Sequence, residues 1–453
     1  MRIAKFVVCI GLVGTARADV TLEIEDAMTL AAKRHPAARA NQASVAGADA
    51  RVEVERARFW PDVEVFGQLD RSTSNTSGGA LFAVPGLPVV SGVPGRTFDL
   101  GAFGTAAGVT ASWDALGYRR WDAQIDAAQA DARAARVEAT VSDLDLSYGA
   151  ADRFIVVIAR DEGMKAAHAG VDRARVFVTI VKAAVDQNLR PGADLSRAQA
   201  ELSLAETALV RAESASHVSL AQLAEALGAP DPLPAPQAGK LLGLPPRPTL
   251  ASAPPASDPR IVAATARVDA GKARKTVIET GTLPRLALVG ALWGRANGND
   301  PGGLQLAGLV PDVPNWALGV AVAWPVFAGK LVGPQARASA ADIARDEARV
   351  QEISLHEQSQ IAQAGAILDG AYRVAGNTPV ALNAARDAER QATARYQAKL
   401  ATADDVAQAQ RLLEQAEIDD AVARLEVWHA ILDYAYALGD LSLFTTAYGA
   451  AGG

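Results

Sequence analysis

Apolar and polar residues alternate with a period of two in two pairs of short segments, a pattern typical of β-strands. The clearest segment alternates Ala and Gly with a bulky apolar set: Trp316, Leu318, Val320, Val322 and Trp324. In the first pair, Val63 and Val65 alternate with Asp62 and Glu64. The pattern predicts strand pairs at 62–71 with 99–113 and at 284–295 with 316–327.

Each strand pair is followed by a long stretch poor in proline: about 115 to 187 contains none, and about 335 to 398 contains only Pro379. At about 1.5 Å per residue, a helix of this length would be of order 100 Å long. The shorter helix predicted after Asp405 carries two apolar stripes, one through Val406 and Leu413 and the other through Ile418 and Leu425. Two stripes favour packing against a neighbour on each side, as in a closed cylinder of helices; an ordinary bundle is the alternative.

The chain contains an internal repeat. Matching residues recur at an offset of 223 and then at an offset of 211, and the change falls across a loop rich in Gly and Pro. The matched pairs are His35-Pro36 with Asp258-Pro259, Trp60-Pro61 with Leu283-Pro284, Trp113 with Trp324, Leu189 with Leu400, Asp194 with Asp405, and Ala226-Leu227-Gly228 with Ala437-Leu438-Gly439. We therefore predict a first repeat at 19–228, a Pro-rich linker at 229–257, a second repeat at 258–439 and a C-terminal tail at 440–453.

Composition supports long helices and limits the chemistry. Of the 453 residues, 50% are hydrophobic, and Ala, a strong helix former, supplies much of this share. The formal charge of -7 argues against a nucleic-acid partner, and a single Cys excludes a disulfide scaffold and a Cys-based zinc site.

The first 18 residues have the pattern of a secretory signal peptide. Arg2 and Lys5 precede an apolar run at 6–13, and Ala16-Arg17-Ala18 fits the small-x-small cleavage site. Cleavage would leave a chain that begins at Asp19 and lacks Cys9. Since no later stretch has the 18 or so apolar residues of a membrane helix, we expect a periplasmic or outer-membrane protein.

The strands can be interpreted as membrane strands. Trp316 and Trp324 lie about 27 Å apart along a strand, and a tilt near 40° projects this to roughly 20 Å, close to the apolar band of an outer-membrane barrel. Trp113, Trp316 and Trp324 would then form its aromatic girdle. Four strands cannot close a barrel alone, so this interpretation requires an oligomer. The alternative is a soluble hairpin whose apolar face packs on helices.

The order of these elements and several short motifs resemble the TolC-type outer-membrane efflux proteins. The motifs are LEIEDA at 22–27, His35-Pro36, RYQAKLATADDV at 395–406 and AQRLL at 409–413. The resemblance implies a mixed fold, mostly α, in which a long coiled-coil α-helical barrel is continuous with a transmembrane β-barrel. It implies a homotrimer, with four strands per chain and twelve in the barrel, surrounded by outer-membrane lipid.

The same resemblance implies a passive exit duct of a tripartite efflux or type I secretion system. A periplasmic adaptor (membrane fusion protein) and an inner-membrane transporter would be its partners, and no cofactor is implied. The alternative is a periplasmic coiled-coil adaptor or structural protein, which would instead have one helical hairpin flanked by soluble β-domains.

The two helix-turn-helix tips are the candidate functional site. The resemblance implies docking of the adaptor at residues of both turns: Asn188, Leu189, Arg190, Lys399, Leu400 and Thr402. Asn188 and Lys399 occupy positions where the family carries Gly. Because Lys adopts a left-handed conformation poorly, we expect a different turn at the second tip or an altered adaptor contact.

The resemblance also implies a periplasmic gate. Asp405 falls on the position of an acidic ring that selects cations, the second ring position is Gln408, and Asp404 lies beside them. Asp194 and Tyr396 match partners of a gate-closing hydrogen bond, whereas the family's gate Arg position is Ala401. Asp194 and Asp405 both follow turns, so they are also expected to cap helices.

No pattern indicates an enzyme or a metal site. The five His residues are dispersed, and the chain lacks a His-Glu-x-x-His motif, a phosphate-binding loop and a Gly-x-Ser-x-Gly elbow.

Overall fold

The computed structural model describes residues 21–72, 102–114, 117–229, 233–250, 255–297 and 308–451. The predicted signal peptide at 1–18 lies outside these residues, as do the start of the predicted strand at 99–113 and parts of the Pro-rich segment.

The described residues are mostly helical with four antiparallel strands, which confirms the predicted fold class. The helices are α1 (Ile24–Arg34), α2 (Pro36–Ala57), α3 (Tyr118–Asp186), α4 (Gly192–Ala226), α5 (Pro259–Glu279), α6 (Gly329–Gln397), α7 (Ala403–Ala437) and α8 (Ser442–Ala450). The strands are β1 (Asp62–Ser72), β2 (Ala102–Asp114), β3 (Arg285–Asn297) and β4 (Val313–Ala323). Short 3-10 turns lie at Gly239–Leu242 and Thr280–Thr282. Among these helices, none carries an apolar stretch of the length that a membrane crossing requires.

The repeat is present in the helices. α3 and α6 both have 69 residues, α4 and α7 both have 35, and each pair starts at an offset of 211. Gly228 and Gly439 end the return helices with left-handed φ values of 59° and 73°. A Cβ on Gly228 would lie 2.8 Å from His35 Cα, and one on Gly439 would lie 2.9 Å from the Asp258 carboxyl group. The paired Gly and X-Pro motifs therefore recur because each return helix ends against the residue before a helix-opening proline.

The chain divides into two compact units. One comprises the described residues of Val45–Ala134 and Thr265–Ala348, and it contains the four-stranded sheet, in the order β1-β2-β3-β4. The register aligns Val65 with Val109, Val109 with Leu292 and Leu292 with Trp316. Side chains that are paired in register lie on the same face of a sheet, so these four residues form one apolar line across all four strands. We call this line the apolar row.

The predicted strand at 316–327 is shifted in the structure. β4 begins at Val313 and ends at Ala323, so Trp324 lies directly after the strand. Trp324 precedes Pro325, which has no N–H to donate to a neighbouring strand and therefore marks the end of the ladder. The other strands lie within about three residues of the predicted bounds where the structure describes them.

The other unit comprises the described residues of Met1–Ser44, Ala135–Ala264 and Arg349–Gly453. Its largest core surrounds Trp428 of α7, which is fully buried and contacts Phe444 and Tyr448 edge to face. The Trp428 indole N–H donates to Gly243 O at 2.9 Å. The segment at 440–453, which the sequence predicts only as a tail, thus contains a packed helix, α8.

Both predicted stripes of α7 are largely buried. The first is buried from Val406 to Ala437, and the second from Leu425 to Ala435. Asp420, which interrupts the first stripe, is buried and accepts hydrogen bonds from Thr378 Oγ1 on α6 at 3.0 Å and from Arg424 at 2.7 Å. These donors explain how a carboxylate is tolerated within an apolar seam.

Candidate functional site: the hairpin tips

The turns that join α3 to α4 and α6 to α7 have the same backbone. Asn188 and Lys399 adopt left-handed φ values of 57° and 65°. Leu189 N–H donates to Ala184 O at 2.9 Å, and Leu400 N–H donates to Arg395 O at 2.8 Å, as in a Schellman helix end. The different turn considered for Lys399 does not form, because these helix-ending bonds offset the cost of a left-handed Lys.

Both tips expose an apolar side chain at the turn. Leu189 is 48% exposed and Leu400 is 70% exposed, and Asn188 and Lys399 beside them are exposed as well. Each tip therefore presents one exposed leucine at an equivalent position of its turn.

The second tip has a complete capping box. Thr402 is the N-cap of α7, and its Oγ1 accepts a hydrogen bond from Asp405 N–H at 3.3 Å. In return, Asp405 Oδ2 accepts bonds from Thr402 N–H at 2.7 Å and from Thr402 Oγ1 at 2.8 Å. These two bonds hold the pKa of the exposed Asp405 carboxyl below its usual value, and the bond from the Thr402 backbone N–H has the larger effect. The expectation that Asp405 caps a helix is therefore met.

Two other predicted gate residues, Asp404 and Gln408, meet within the first two turns of α7. Gln408 Nε2 donates to Asp404 Oδ2 at 2.8 Å. Arg197 of α4 lies 3.9 Å from the other oxygen of Asp404, in an exposed position. Asp404 thus faces a residue of each hairpin.

The first tip lacks the corresponding cap. Pro191 occupies the N-cap position of α4 and makes no side-chain capping bond. Asp194, the repeat counterpart of Asp405, instead faces Tyr396 across the two tips. Burial raises the pKa of the Tyr396 hydroxyl, and the negative charge of Asp194 raises it further. The structure thus brings together the predicted pair Asp194 and Tyr396, although the buried hydroxyl makes no hydrogen bond of ordinary geometry within the described residues.

Arg190 makes three contacts that the sequence does not predict. Its Nη2 donates to Tyr396 O at 3.0 Å and to Ala401 O at 2.9 Å, and its guanidinium carbon lies 4.5 Å from the centre of the Tyr396 ring. The one hint in the sequence is the internal repeat, which makes Arg190 the counterpart of Ala401 at an offset of 211 and so places both at equivalent points of the two tips.

A small hydrophobic core lies next to both tips, on the side of the helices. Phe177 of α3 contacts Tyr396 edge to face, with ring centres 5.3 Å apart. The core joins both hairpins through buried residues of α3, α4, α6 and α7: Phe177, Val181, Ala198, Tyr396, Ala403 and Val406.

A second candidate surface is the apolar row of the sheet. Val65 is 83% exposed, Leu292 67% and Trp316 75%. Among the described residues, the outer edges of β1 and β4 pair with no other strand. Exposed apolar side chains and open strand edges occur together here, and a stable protein must cover both.

Aromatic residues cluster at one end of this sheet. Trp113 lies near the end of β2 and donates its indole N–H to Phe59 O at 3.0 Å. Trp324 follows β4, and Trp60, which the sequence does not assign to the girdle, precedes β1 and is 75% exposed. Since neighbouring strands are antiparallel, these three residues lie at the same end, whereas Trp316 lies toward the other.

No group of three or more His, Cys, Asp or Glu side chains is arranged to hold a metal ion in the part of the chain that the structure describes.

The fold is the one seen in solved outer-membrane channels. Three solved structures share the fold. They are VceC from Vibrio cholerae (18% identity, 92% of this chain and 96% of that chain, TM-score 0.71), the CmeC channel of Campylobacter jejuni (14%, 92% and 85%, 0.72) and the open state of the MtrE channel of Neisseria gonorrhoeae (19%, 92% and 89%, 0.67).

The sequence of the first repeat matches a known family. Residues 27–229 match the sequence model of the family described as outer membrane efflux protein. The match covers the first repeat, and the second repeats its helices at a constant offset. The first repeat therefore resembles the outer membrane efflux protein family in sequence. No curated protein matches its sequence.

Proposed function

We propose that the chain is the outer-membrane channel of a tripartite efflux or secretion assembly and gives its cargo a passive exit. In this proposal the chain forms a homotrimer, and it is secreted after cleavage near Ala18. A periplasmic adaptor docks on its tips, and an inner-membrane transporter supplies the energy.

The observation that carries the proposal is the exposed apolar row at an open-edged sheet. Lipid tolerates strands only in a closed barrel, since a free edge would leave backbone groups without hydrogen bonds. Three copies would supply twelve strands, join β4 of one chain to β1 of the next, and turn Val65, Leu292 and Trp316 toward lipid.

The opposite face of the sheet suits a water-filled interior. Its positions are mostly small or polar, among them Asp62, Glu64 and Gln68 on β1, Arg295 on β3 and the Gly and Ala of β4, with Phe66, Val289 and Trp293 among the larger apolar residues. Small and polar side chains on the inner face and apolar ones on the outer face are the arrangement of a membrane barrel.

The tips support the adaptor-docking part of the proposal. Leu189 and Leu400 are exposed at equivalent turns of two hairpins, so a trimer would present six similar apolar contacts around its periplasmic end. A ring of near-equivalent contacts fits a partner that binds in several copies.

The alternative, a periplasmic adaptor, agrees less well with this sheet. A soluble β-domain buries the apolar face of its strands, whereas ten of the eleven β4 residues are exposed. No observation on the helices favours the adaptor over the channel.

Conductance of the purified full-length protein in a planar lipid bilayer tests the proposal. We expect stepwise, channel-like current from a detergent-stable oligomer recovered from the outer-membrane fraction. Recovery of the protein as a soluble periplasmic species, with no current after reconstitution, would contradict the channel and favour the adaptor.

A further inference from the structure

We propose that Glu357 on α6 is a buried proton-binding site, and that its proton leaves Arg260 free to hold the start of α5 against the end of α7. The site lies within one chain, in the second repeat. It goes beyond the proposed channel function and does not depend on it.

Two carboxylates and one guanidinium group are buried together where α5 meets the end of α7. Asp258, the residue before α5, is fully buried, and Glu357 is 4% exposed. The Arg260 guanidinium group lies 3.3 Å from Asp258 Oδ1 and 3.0 Å from Glu357 Oε2. If both carboxylates were ionised, one cation would face two anions and the buried cluster would carry a net negative charge. Burial of an uncompensated charge is costly.

Arg260 is occupied mainly by partners other than Glu357. Its Nε and Nη2 donate to the two oxygens of Asp258. Nη2 also donates to Tyr436 O at 2.7 Å and to Ala437 O at 3.3 Å, and the guanidinium carbon lies 5.0 Å from the centre of the Tyr436 ring. These contacts satisfy the last carbonyls of α7, which have no partners within the helix.

Asp258 has a donor that Glu357 lacks. Arg260 N–H donates to Asp258 Oδ1 at 2.8 Å, and the N-terminal end of α5 also favours a negative charge at this position. Glu357 Oε2 accepts no hydrogen bond from the described residues, since its contact with Arg260 Nη1 lacks hydrogen-bond geometry. The proton should therefore bind to Glu357.

The charges that face Glu357 act in opposite directions. Burial has the largest effect and raises the pKa of the Glu357 carboxyl. The charge of Arg260 lowers this pKa, that of Asp258 raises it and that of His356 lowers it, and the pKa remains above its usual value. The direction agrees with the excess of buried carboxylates over cations.

The neighbouring helices contribute Tyr436 of α7 and Asp145 of α3. Tyr436 Oη donates to Asp145 at 2.8 Å. Burial and this hydrogen bond raise the pKa of Tyr436 to about 12, so Tyr436 carries no charge near neutral pH. Asp145 is thus bonded at the hydroxyl end of the Tyr436 side chain, while Arg260 lies over the ring.

The first repeat lacks the residues of this cluster. At the equivalent positions it has His35 in place of Asp258, Ala37 in place of Arg260 and Leu146 in place of Glu357. An uncharged residue is therefore compatible with the fold at the position of Glu357.

Thermal unfolding of the purified full-length protein in detergent, at a series of pH values, tests the site. Glu357→Gln mimics the protonated carboxyl. A raised pKa in the folded state means that the stabilisation by the proton is complete below about pH 4.3, the usual value for Glu, and is lost as the pH rises through the raised value. The Tm of Glu357→Gln should therefore rise relative to wild type as the pH increases.

An ordinary salt bridge between Glu357 and Arg260 predicts the opposite sign, because loss of an ionised partner would cost most at high pH. A Tm of Glu357→Gln that falls relative to wild type as the pH rises, or a difference that does not change with pH, would overturn the proton site.

The matched control is Glu352→Gln, which changes an exposed carboxylate of the same helix. Its difference in Tm from wild type should not depend on pH. Glu357→Leu, which copies the residue of the first repeat, should shift Tm with the same sign as Glu357→Gln, and it decides the question by the same criterion if Glu357→Gln does not fold.

Discussion

Asp194 and Asp405 occupy equivalent positions in the two repeats and make different contacts, because the residue three positions earlier differs. Thr402 gives Asp405 a capping partner, whereas Pro191 gives Asp194 none. The motif therefore predicts where a carboxylate lies on the tip but not which group it contacts.

At the residue scale, Asp405 should determine ion selectivity. In the proposed trimer, three Asp405 carboxylates attract cations at the constriction, and their lowered pKa extends the charged state to more acidic pH. Asp405→Asn should therefore lower the ratio of cation to anion permeability toward its value in free solution and weaken block by multivalent cations, measured in planar bilayers.

The control for this test is Thr402→Ala. It removes the two bonds made by Thr402 Oγ1, at a cost of about 1 kcal/mol, but keeps the bond from Thr402 N–H and the charge of Asp405. Selectivity should survive in Thr402→Ala. If Asp405→Asn retains wild-type selectivity, Asp405 does not line the constriction and its role is capping alone.

Lys399 marks a limit of sequence-based prediction at this scale. Its intrinsic preference argues against a left-handed turn, yet it has the same φ region as Asn188. The bonds of Lys399 N–H and Leu400 N–H to the end of α6 decide the conformation, and such bonds are not visible in a single residue's propensity.

At the element scale, α3 and α7 are locked by reciprocal contacts along one face of each helix. Tyr148 Oη donates to Asp433 at 2.7 Å, and Tyr436 Oη donates to Asp145 at 2.8 Å. The two tyrosine rings stack with centres 4.2 Å apart. One turn away, His429 of α7 lies 2.9 Å from Asp152 of α3.

Because His429 takes part in these contacts between α3 and α7, their contribution to the free energy of unfolding should depend on pH. The hydrogen bond to Asp152 raises the pKa of His429, and the charges of Asp433, Asp152 and Glu426 raise it further against the opposing effect of burial. A raised pKa in the folded state means that the stabilisation is complete below about pH 6.5, the usual value for His, and is lost as the pH rises through the raised value.

Thermal unfolding in detergent at a series of pH values measures this effect. Relative to wild type, His429→Gln should be less stable at low pH by less than about 1 kcal/mol, since water screens the partly exposed pair, and the two proteins should converge at high pH. The exposed His217→Gln on α4 is the control. A difference between His429→Gln and wild type that stays constant with pH would refute the lock.

The elements themselves are largely predictable, and their ends less so. The scarcity of proline identifies α3, which has none, and α6, which has only Pro334 and Pro379, and period-two alternation identifies the strands. β4 stops at Ala323 because of Pro325, a rule that applies equally to the sequence. The short helix α8 has no comparable pattern, since its stability comes from Phe444 and Tyr448 packing on Trp428.

At the scale of the whole molecule, the internal repeat and the family resemblance together predict the class of fold. They do not predict the cross-tip contacts of Arg190, because those join two segments about 206 to 211 residues apart and depend on how the hairpins pack. The repeat identifies equivalent positions in the two halves, but the side chains at those positions make different contacts in the folded chain.

The central claim is that the open-edged sheet inserts into the outer membrane with the face of the apolar row toward lipid. Leu318 and Ala317 are neighbours on β4 with opposite orientations, and Leu318 shares the face of Trp316. An Arg on the lipid face near the midplane costs about 2 to 4 kcal/mol, whereas an Arg in the lumen contacts water.

The decisive measurement is the amount of heat-modifiable oligomer in the outer-membrane fraction for Leu318→Arg and Ala317→Arg. The channel account predicts that Leu318→Arg sharply reduces the oligomer and that Ala317→Arg leaves it near the wild-type amount. Equal tolerance of both substitutions, or a greater loss for Ala317→Arg, would contradict the account.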